Sequence, residues 1–146
     1  MALFGLLTLP VMAQNADNLL KTYDTVSTAL ANDDLAAAKT SAAALAEQAT
    51  TDKNAALAEQ ADKLAKSDSL DAAREDFKAM STTAIALAKG SETYHVMNCP
   101  MAKASWVQSG TKVMNPYMGK QMQQCGSMVS DEKGATTSMS CCGAMG

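Results

Sequence analysis

Apolar side chains recur at intervals of three and four residues between positions 16 and 89, the spacing of one face of an α-helix. The pattern is interrupted at 32–34, 50–52 and 67–69, where Asn, Asp, Ser and Thr can cap the helix that follows. Gly90 suits the left-handed residue that ends many helices. The stripes consist of Leu19, Leu20, Tyr23, Val26 and Leu30; Leu35, Ala38, Ala42, Leu45 and Ala49; Leu57, Ala61 and Leu64; and Leu70, Ala73, Phe77, Met80, Ala84 and Leu87. Four helices with short connections predict an all-α fold, an up-and-down four-helix bundle over residues 14–90.

The composition changes after Gly90. Eight of the eleven methionines and all four cysteines lie beyond it. Asn115-Pro116 has the chemistry of an N-cap followed by a proline at the first helical position, and Gly126 could end such a helix. We expect residues 91–128 to form a loop and a short helix over 116–125, packed on the bundle within the same domain. Residues 129–146 lack periodicity, which predicts a flexible tail rich in cysteine and methionine.

The first thirteen residues are mostly apolar, and Val11 and Ala13 are small side chains spaced for signal-peptide cleavage after Ala13. The basic stretch that usually precedes such a segment is missing, so an apolar helical turn packed on the core is the alternative. The run is too short to span a bilayer. Our interpretation is that residues 1–13 are a signal-like segment, that the mature chain begins near Gln14, and that the protein is periplasmic without a membrane span.

Charge and motif content narrow the functional classes. The formal net charge is −3 and no basic cluster stands out, so nucleic-acid binding has no electrostatic support. The region after Gly90 has neither a nucleophile–base pair nor a carboxylate cluster, which indicates a binding protein and not an enzyme.

Soft metal ligands gather in the region after Gly90. In an extended Cys99-Pro100-Met101 segment both sulfur atoms would project to one side, because alternate residues of a strand share a face. In a helix over 116–125, positions 118, 122 and 125 would share a face as well. With the chain's only histidine, the candidate metal ligands are His95, Cys99, Met101, Met118, Met122 and Cys125. Thiolate, thioether and imidazole together suit Cu(I), with Ag(I) as the second candidate ion.

Alternatives stay open at this stage. Zn²⁺ also takes Cys and His, but structural zinc sites want four strong ligands, and thioethers outnumber imidazoles here. Cys99 and Cys125 could instead form a disulfide that staples a structural or adaptor bundle, or the switching disulfide of a thiol redox protein, although no Cys-x-x-Cys motif supports the latter. The methionines could be core packing. Cys141-Cys142 could be a mobile copper-binding pair, a disulfide, or an unselected chain end.

The motif region resembles a known family, the helical periplasmic domain of unknown function found alone or fused to membrane-fusion subunits of heavy-metal efflux pumps. The resemblance rests on Tyr94, Cys99-Pro100-Met101, Trp106, Asn115-Pro116-Tyr117, Gly119, Met122 and Cys125-Gly126, with helical segments 29–34 and 74–77 similar too. It covers roughly residues 16–130. It implies a helix bundle that handles copper or silver. Together with the ligand chemistry, it leads us to expect a periplasmic copper(I)-binding protein that buffers copper or passes it to an efflux partner.

Overall fold

A computed structural model describes residues 11–129, with side-chain positions from residue 14 onward. Most of the signal-like segment (residues 1–10) and the tail from residue 130, with Cys141 and Cys142, lie outside the described residues. The predictions of cleavage and of a flexible tail therefore stay predictions. Within the part of the chain that the structure describes, no helix is long and apolar enough to cross a membrane.

Four α-helices form where the apolar stripes predicted them. They are α1 (Val11–Ala31), α2 (Leu35–Thr51), α3 (Ala55–Ala65) and α4 (Leu70–Leu87). The last three begin behind polar caps: the side chains of Asp34, Asn54 and Ser69 each accept a hydrogen bond from the backbone N–H three residues later. Asp34 and Ser69 lie inside the predicted interruptions, and Asn54 lies just after the second one, at 50–52. The local chemistry of the chain thus sets the helix starts.

The apolar stripes of the four helices meet in one core. The rings of Tyr23 on α1 and Phe77 on α4 stack with centroids 4.9 Å apart, and both side chains are fully buried. Helix α2 contributes Leu45 and three buried alanines, Ala38, Ala42 and Ala49. Small side chains at a contact allow neighbouring helices to approach closely, which explains how so alanine-rich a chain can bury a core.

The all-α prediction is wrong, because a three-stranded antiparallel sheet follows the helices. Strand β1 (Tyr94–Cys99) pairs with β2 (Ala104–Ser109) in a hairpin and with β3 (Ser127–Met128) on its other side, in the order β2-β1-β3. The fold is therefore mixed α and β. A helix satisfies its own backbone hydrogen bonds, whereas a strand needs partners from elsewhere in the chain, so local periodicity revealed only the helices.

The short helix predicted over residues 116–125 is also wrong. A single 3-10 turn, Gly119–Gln121, forms there. Gly119 has a φ of 60°, a left-handed conformation that interrupts a right-handed helix. A Cβ at this position would overlap Asp33 Oδ1 and Arg74 Nη2. The backbone at Gly119 therefore lies directly against that ion pair, and this tertiary contact takes the place of helix propagation.

Tyrosine hydroxyls attach the sheet to the helices. Tyr117 donates a hydrogen bond to the carbonyl of Ser105 at 2.7 Å, and the Val107 N–H donates to the hydroxyl of Tyr23 at 3.4 Å. Ser81 of α4 links the two hydroxyls, at 2.7 Å from Tyr23 and 3.0 Å from Tyr117. Burial raises the pKa of both tyrosines, which keeps them neutral hydrogen-bonding groups. The outer edge of β2 is thus closed by side chains of α1, α4 and the loop after β2.

Candidate functional site

Two cysteines that lie 26 positions apart in the sequence meet in the folded chain. Cys99 is the last residue of β1, Cys125 lies two residues before β3, and their Sγ atoms are 3.2 Å apart. Both side chains are buried, and neither is part of a disulfide, whose sulfur atoms would be about 2.0 Å apart. The structure therefore brings together the two thiols that the sequence singled out.

Asn115 organises the loop that carries Cys125. Its Oδ1 accepts hydrogen bonds from the N–H of Tyr117 and of Met118, as expected of a capping side chain. Its Nδ2 donates to the carbonyl of Cys125 at 2.6 Å, and its backbone N–H donates to the carbonyl of Gln123 at 2.7 Å. The sequence predicted Asn115 as a helix N-cap; its side chain instead caps a turn, because no helix starts there. This buried side chain thereby fixes the backbone on both sides of the loop.

Gly126 lets the same loop pass close over β1. Its φ is 135°, and a Cβ there would lie 2.9 Å from the carbonyl oxygen of Asn98 and 2.9 Å from Cη2 of Trp106. Because only glycine tolerates both the backbone conformation and the close approach, it allows Cys125 to reach Cys99. Trp106 itself is fully buried and donates from Nε1 to Oε1 of Gln108 at 3.0 Å.

An ion pair that sequence reasoning missed anchors the other end of the loop. Arg74 on α4 contacts Asp33 Oδ1 at 2.6 Å and donates from Nε to the carbonyl of Pro116 at 2.8 Å. Asp33 also accepts from the N–H of Lys120 at 3.2 Å, and its hydrogen bond with Arg74 lowers the pKa of the carboxyl. Two signals were available: Arg74 is the only arginine in the chain, and Asp33 lies in the polar interruption after α1.

The surroundings of Cys99 favour its thiolate. Burial by itself raises the pKa of a thiol, but hydrogen bonds from the backbone N–H groups of Ala102 and Met101 and from the side chains of Cys125 and Asn115 outweigh it, so the pKa of Cys99 lies below its ordinary value. The Ala102 N–H lies 3.5 Å from Sγ. A stabilised thiolate is both the form that binds soft metals and the form that reacts with a disulfide.

The predicted methionine ligands take different positions from those the sequence suggested. Residues 100–103 form the turn between β1 and β2, so Met101 does not continue the strand, and its side chain is 61% exposed. Met118 and Met122 are half-buried and pack against the core. The shared helix face predicted for Met118, Met122 and Cys125 does not exist, because that segment forms only a 3-10 turn. The three methionine sulfurs are thus less organised than the thiol pair.

His95 lies away from the cysteine pair. It is four residues before Cys99 on the same extended strand, which places their Cα atoms about 13 Å apart. With metal–ligand bonds of about 2.0–2.3 Å, two side chains cannot meet on one ion across that distance. Among residues 11–129, no three His, Cys, Asp or Glu side chains are grouped as a metal site.

Comparison with known proteins finds a family match for the helical part of the chain. A family described as protein of unknown function (DUF3347) matches residues 19–95, which are 77 of the 146 residues. The match runs from α1 to the start of β1, so Cys99 and Cys125 lie beyond it. No curated protein and no solved structure matches the chain.

Proposed function

We propose that this chain, which belongs to the family described as protein of unknown function (DUF3347), is a copper(I)-binding protein. Membership of that family does not by itself indicate an activity. The observation that carries the proposal is the 3.2 Å approach of the Cys99 and Cys125 sulfur atoms. The ion would be held between these two thiolates. Ag(I), which has the same preference for sulfur, is the second ion we expect to bind.

The chemistry of the thiol pair supports this choice of ion. Thiolate and thioether ligands select soft ions such as Cu(I), and a thiol must lose its proton before it coordinates. The lowered pKa of Cys99 reduces the free-energy cost of that deprotonation. Both sulfur atoms are shielded from solvent, which protects the thiolates from oxidation while the ion is held.

Met101 is the third ligand that we propose, in a supporting role. It lies two residues after Cys99 in the hairpin turn, and its exposed thioether can meet an ion arriving from solvent. Thioethers are neutral and bind more weakly than thiolates, so an ion held by Met101 would pass to the cysteine pair by ligand exchange. Met118 and Met122 are weaker candidates because they pack against the core.

The cellular role follows as a further part of the proposal. A periplasmic protein with such a pair would buffer Cu(I) or pass it to a component of a heavy-metal efflux system. The signal-like residues 1–13 and the resemblance of the motif region support this role.

A disulfide between Cys99 and Cys125 is the second candidate, because the same 3.2 Å approach suits oxidation of the two thiols. Such a bond would join the end of β1 to the loop before β3 and serve a structural or thiol redox protein. The two candidates differ in the state of the thiols after purification from the periplasm, which alkylation followed by mass measurement reads directly.

A copper competition experiment tests the first candidate. The full chain with Cys141→Ser and Cys142→Ser, reduced and free of metal, is titrated with Cu(I) against a chromogenic chelator. We expect a further Cys99→Ser or Cys125→Ser substitution to weaken Cu(I) binding about 100-fold, equal to about 2.7 kcal/mol. Met101→Leu should weaken it less than either cysteine variant.

The Cys141→Ser, Cys142→Ser protein is the matched control, because it removes two thiols that lie outside the proposed site. If it competes for Cu(I) no better than its Cys99→Ser and Cys125→Ser derivatives, the copper proposal fails. A chain that is purified fully oxidised, and that ignores Cu(I) once reduced, would favour the disulfide.

A further inference from the structure

One face of β1 carries a row of soft side chains. His95, Met97 and Cys99 alternate along the strand, so their side chains project to the same face. Met128 of β3 lies directly opposite Met97 and shares this face. The thiol pair described above lies at one end of the row and His95 at the other, with Met128 opposite the middle.

His95 and Met128 are diagonal neighbours across the β1–β3 pair. Such neighbours have Cα atoms about 7–8 Å apart, a separation that long side chains bridge. Both residues border one cavity of about 450 Å³ that residues of α4 also line. His95 is half-buried and Met128 is 38% exposed, so the cavity can be reached from solvent.

The rest of the cavity wall is largely apolar on the α4 side, where Ile85 and Ala86 contribute to it. Lys89 also lines the cavity, and because its side chain is exposed its ammonium can extend into water. An imidazole nitrogen and a thioether sulfur on diagonal neighbours of one sheet face can act as a soft ligand pair.

We propose that His95 and Met128 form a second, weaker site for a soft monovalent cation, Cu(I) or Ag(I). This inference deepens the proposed copper function and rests on it for the identity of the cargo. Neutral imidazole and thioether ligands lack the charge of two thiolates, so the second site fills after the cysteine pair. Met97 lies directly opposite Met128 and between His95 and Cys99 on the same face, about 6.6 Å along β1 from each of the latter two.

Silver titration followed by NMR tests the proposal, because Ag(I) does not change oxidation state and His95 is the only histidine in the chain. The reduced full chain with Cys141→Ser and Cys142→Ser is labelled with ¹⁵N in the imidazole ring and ¹³C in the methionine methyl groups. We expect the first equivalent of Ag(I) to leave the ring unchanged. The second should shift one ring nitrogen of His95 and the methyl group of Met128.

Met128→Leu keeps the size of the side chain and removes the sulfur. It should weaken the Ag(I) dependence of the His95 signal about tenfold or more, equal to about 1.4 kcal/mol. Met80→Leu is the matched control, since it removes a thioether that is buried in the helical core and belongs to neither proposed site, and it should leave the His95 signal unaltered. A ring that does not respond at saturating Ag(I), or that responds equally in the Met128→Leu protein, overturns the proposal.

A variant with Cys99→Ser and Cys125→Ser separates this inference from the function on which it rests. If the cysteine pair does not bind the ion but the His95–Met128 site does, the ring shift is the same with and without the two substitutions and begins at the first equivalent. The proposed function is then wrong and the second site stands. If only the cysteine pair binds, the ring stays unchanged in both proteins and the second site is wrong.

Discussion

Replacing Gly126 by alanine should loosen the loop that presents Cys125, because the new methyl group has no room. Its Cβ would lie 2.9 Å from the Asn98 carbonyl oxygen and 2.9 Å from Cη2 of Trp106, where non-bonded carbon atoms prefer about 3.5–4.0 Å. The φ of 135° is a second obstacle, since side chains other than hydrogen disfavour that region. The chain must therefore move away from β1, and Cys125 moves with it.

The expected cost follows from these two effects. A residue forced into a sparsely populated backbone region costs about 1–3 kcal/mol, and overpacking a filled interior costs about 1–3 kcal/mol more. The free energy of unfolding should thus fall by about 2–6 kcal/mol, which is a large share of the 5–15 kcal/mol or so of a typical domain. Cu(I) affinity should fall as well, because the sulfur pair is no longer held at its short separation.

Urea unfolding followed by tryptophan fluorescence measures this cost, since Trp106 is the only tryptophan and lies beside Gly126. Gly110→Ala is the matched control: Gly110 has a φ of 80°, but nothing lies within 4 Å of the Cβ that would be added. It should carry the backbone cost alone, about 1–2 kcal/mol. Equal losses in the two variants would refute the idea that close contact with β1 requires Gly126.

Three further predictions concern the supports of the site and of the sheet. Arg74→Lys should lower the free energy of unfolding by about 1–3 kcal/mol in urea titrations, because an ammonium cannot keep the bonds to Asp33 and to the Pro116 carbonyl together; an unchanged midpoint would contradict this. The hydrogen bond from Arg74 lowers the pKa of Asp33 in the folded state. The Asp33 carboxylate therefore stabilises the fold at pH values above its unfolded pKa near 3.8, and this stabilisation is lost as the pH falls through the lower folded pKa. Urea titrations between about pH 6 and pH 2 should show the loss for the wild type and not for Asp33→Asn. Tyr117→Phe should cost about 1–3 kcal/mol, since the part-buried Ser105 carbonyl loses its donor, and a cost below a few tenths of a kcal/mol would show that the hydroxyl does not hold the sheet.

The helices were predictable because each satisfies its own backbone hydrogen bonds and because capping residues next to it in the sequence mark where it begins. The stripes around Tyr23 and Phe77 and the caps at Asp34 and Ser69 needed no knowledge of distant residues. Strand β1 gave no comparable signal, because its partners lie at 104–109 and 127–128. The same limit explains the wrong helix over 116–125, where Asn115-Pro116 supplied a good start but contact with Asp33 and Arg74 imposed a left-handed glycine.

The candidate site shows the same division. The sequence singled out Cys99 and Cys125 on chemistry alone, and the structure brings their sulfur atoms together. It also suggested that His95 would join them, which the extended geometry of β1 prevents. The pairing of β3 with β1, which the sequence did not predict, makes Met128 a diagonal neighbour of His95.

By itself, then, the sequence determined four helices and most of their caps, because helix formation depends on neighbouring residues, and it singled out candidate soft ligands by their side-chain chemistry. The tertiary structure decided the sheet, the turn after Asn115, the approach of Cys99 to Cys125 and the position of His95 away from them. Those features depend on hydrogen bonds and close contacts between segments far apart in the chain, such as Gly126 against Trp106. Only the folded chain brings such segments together.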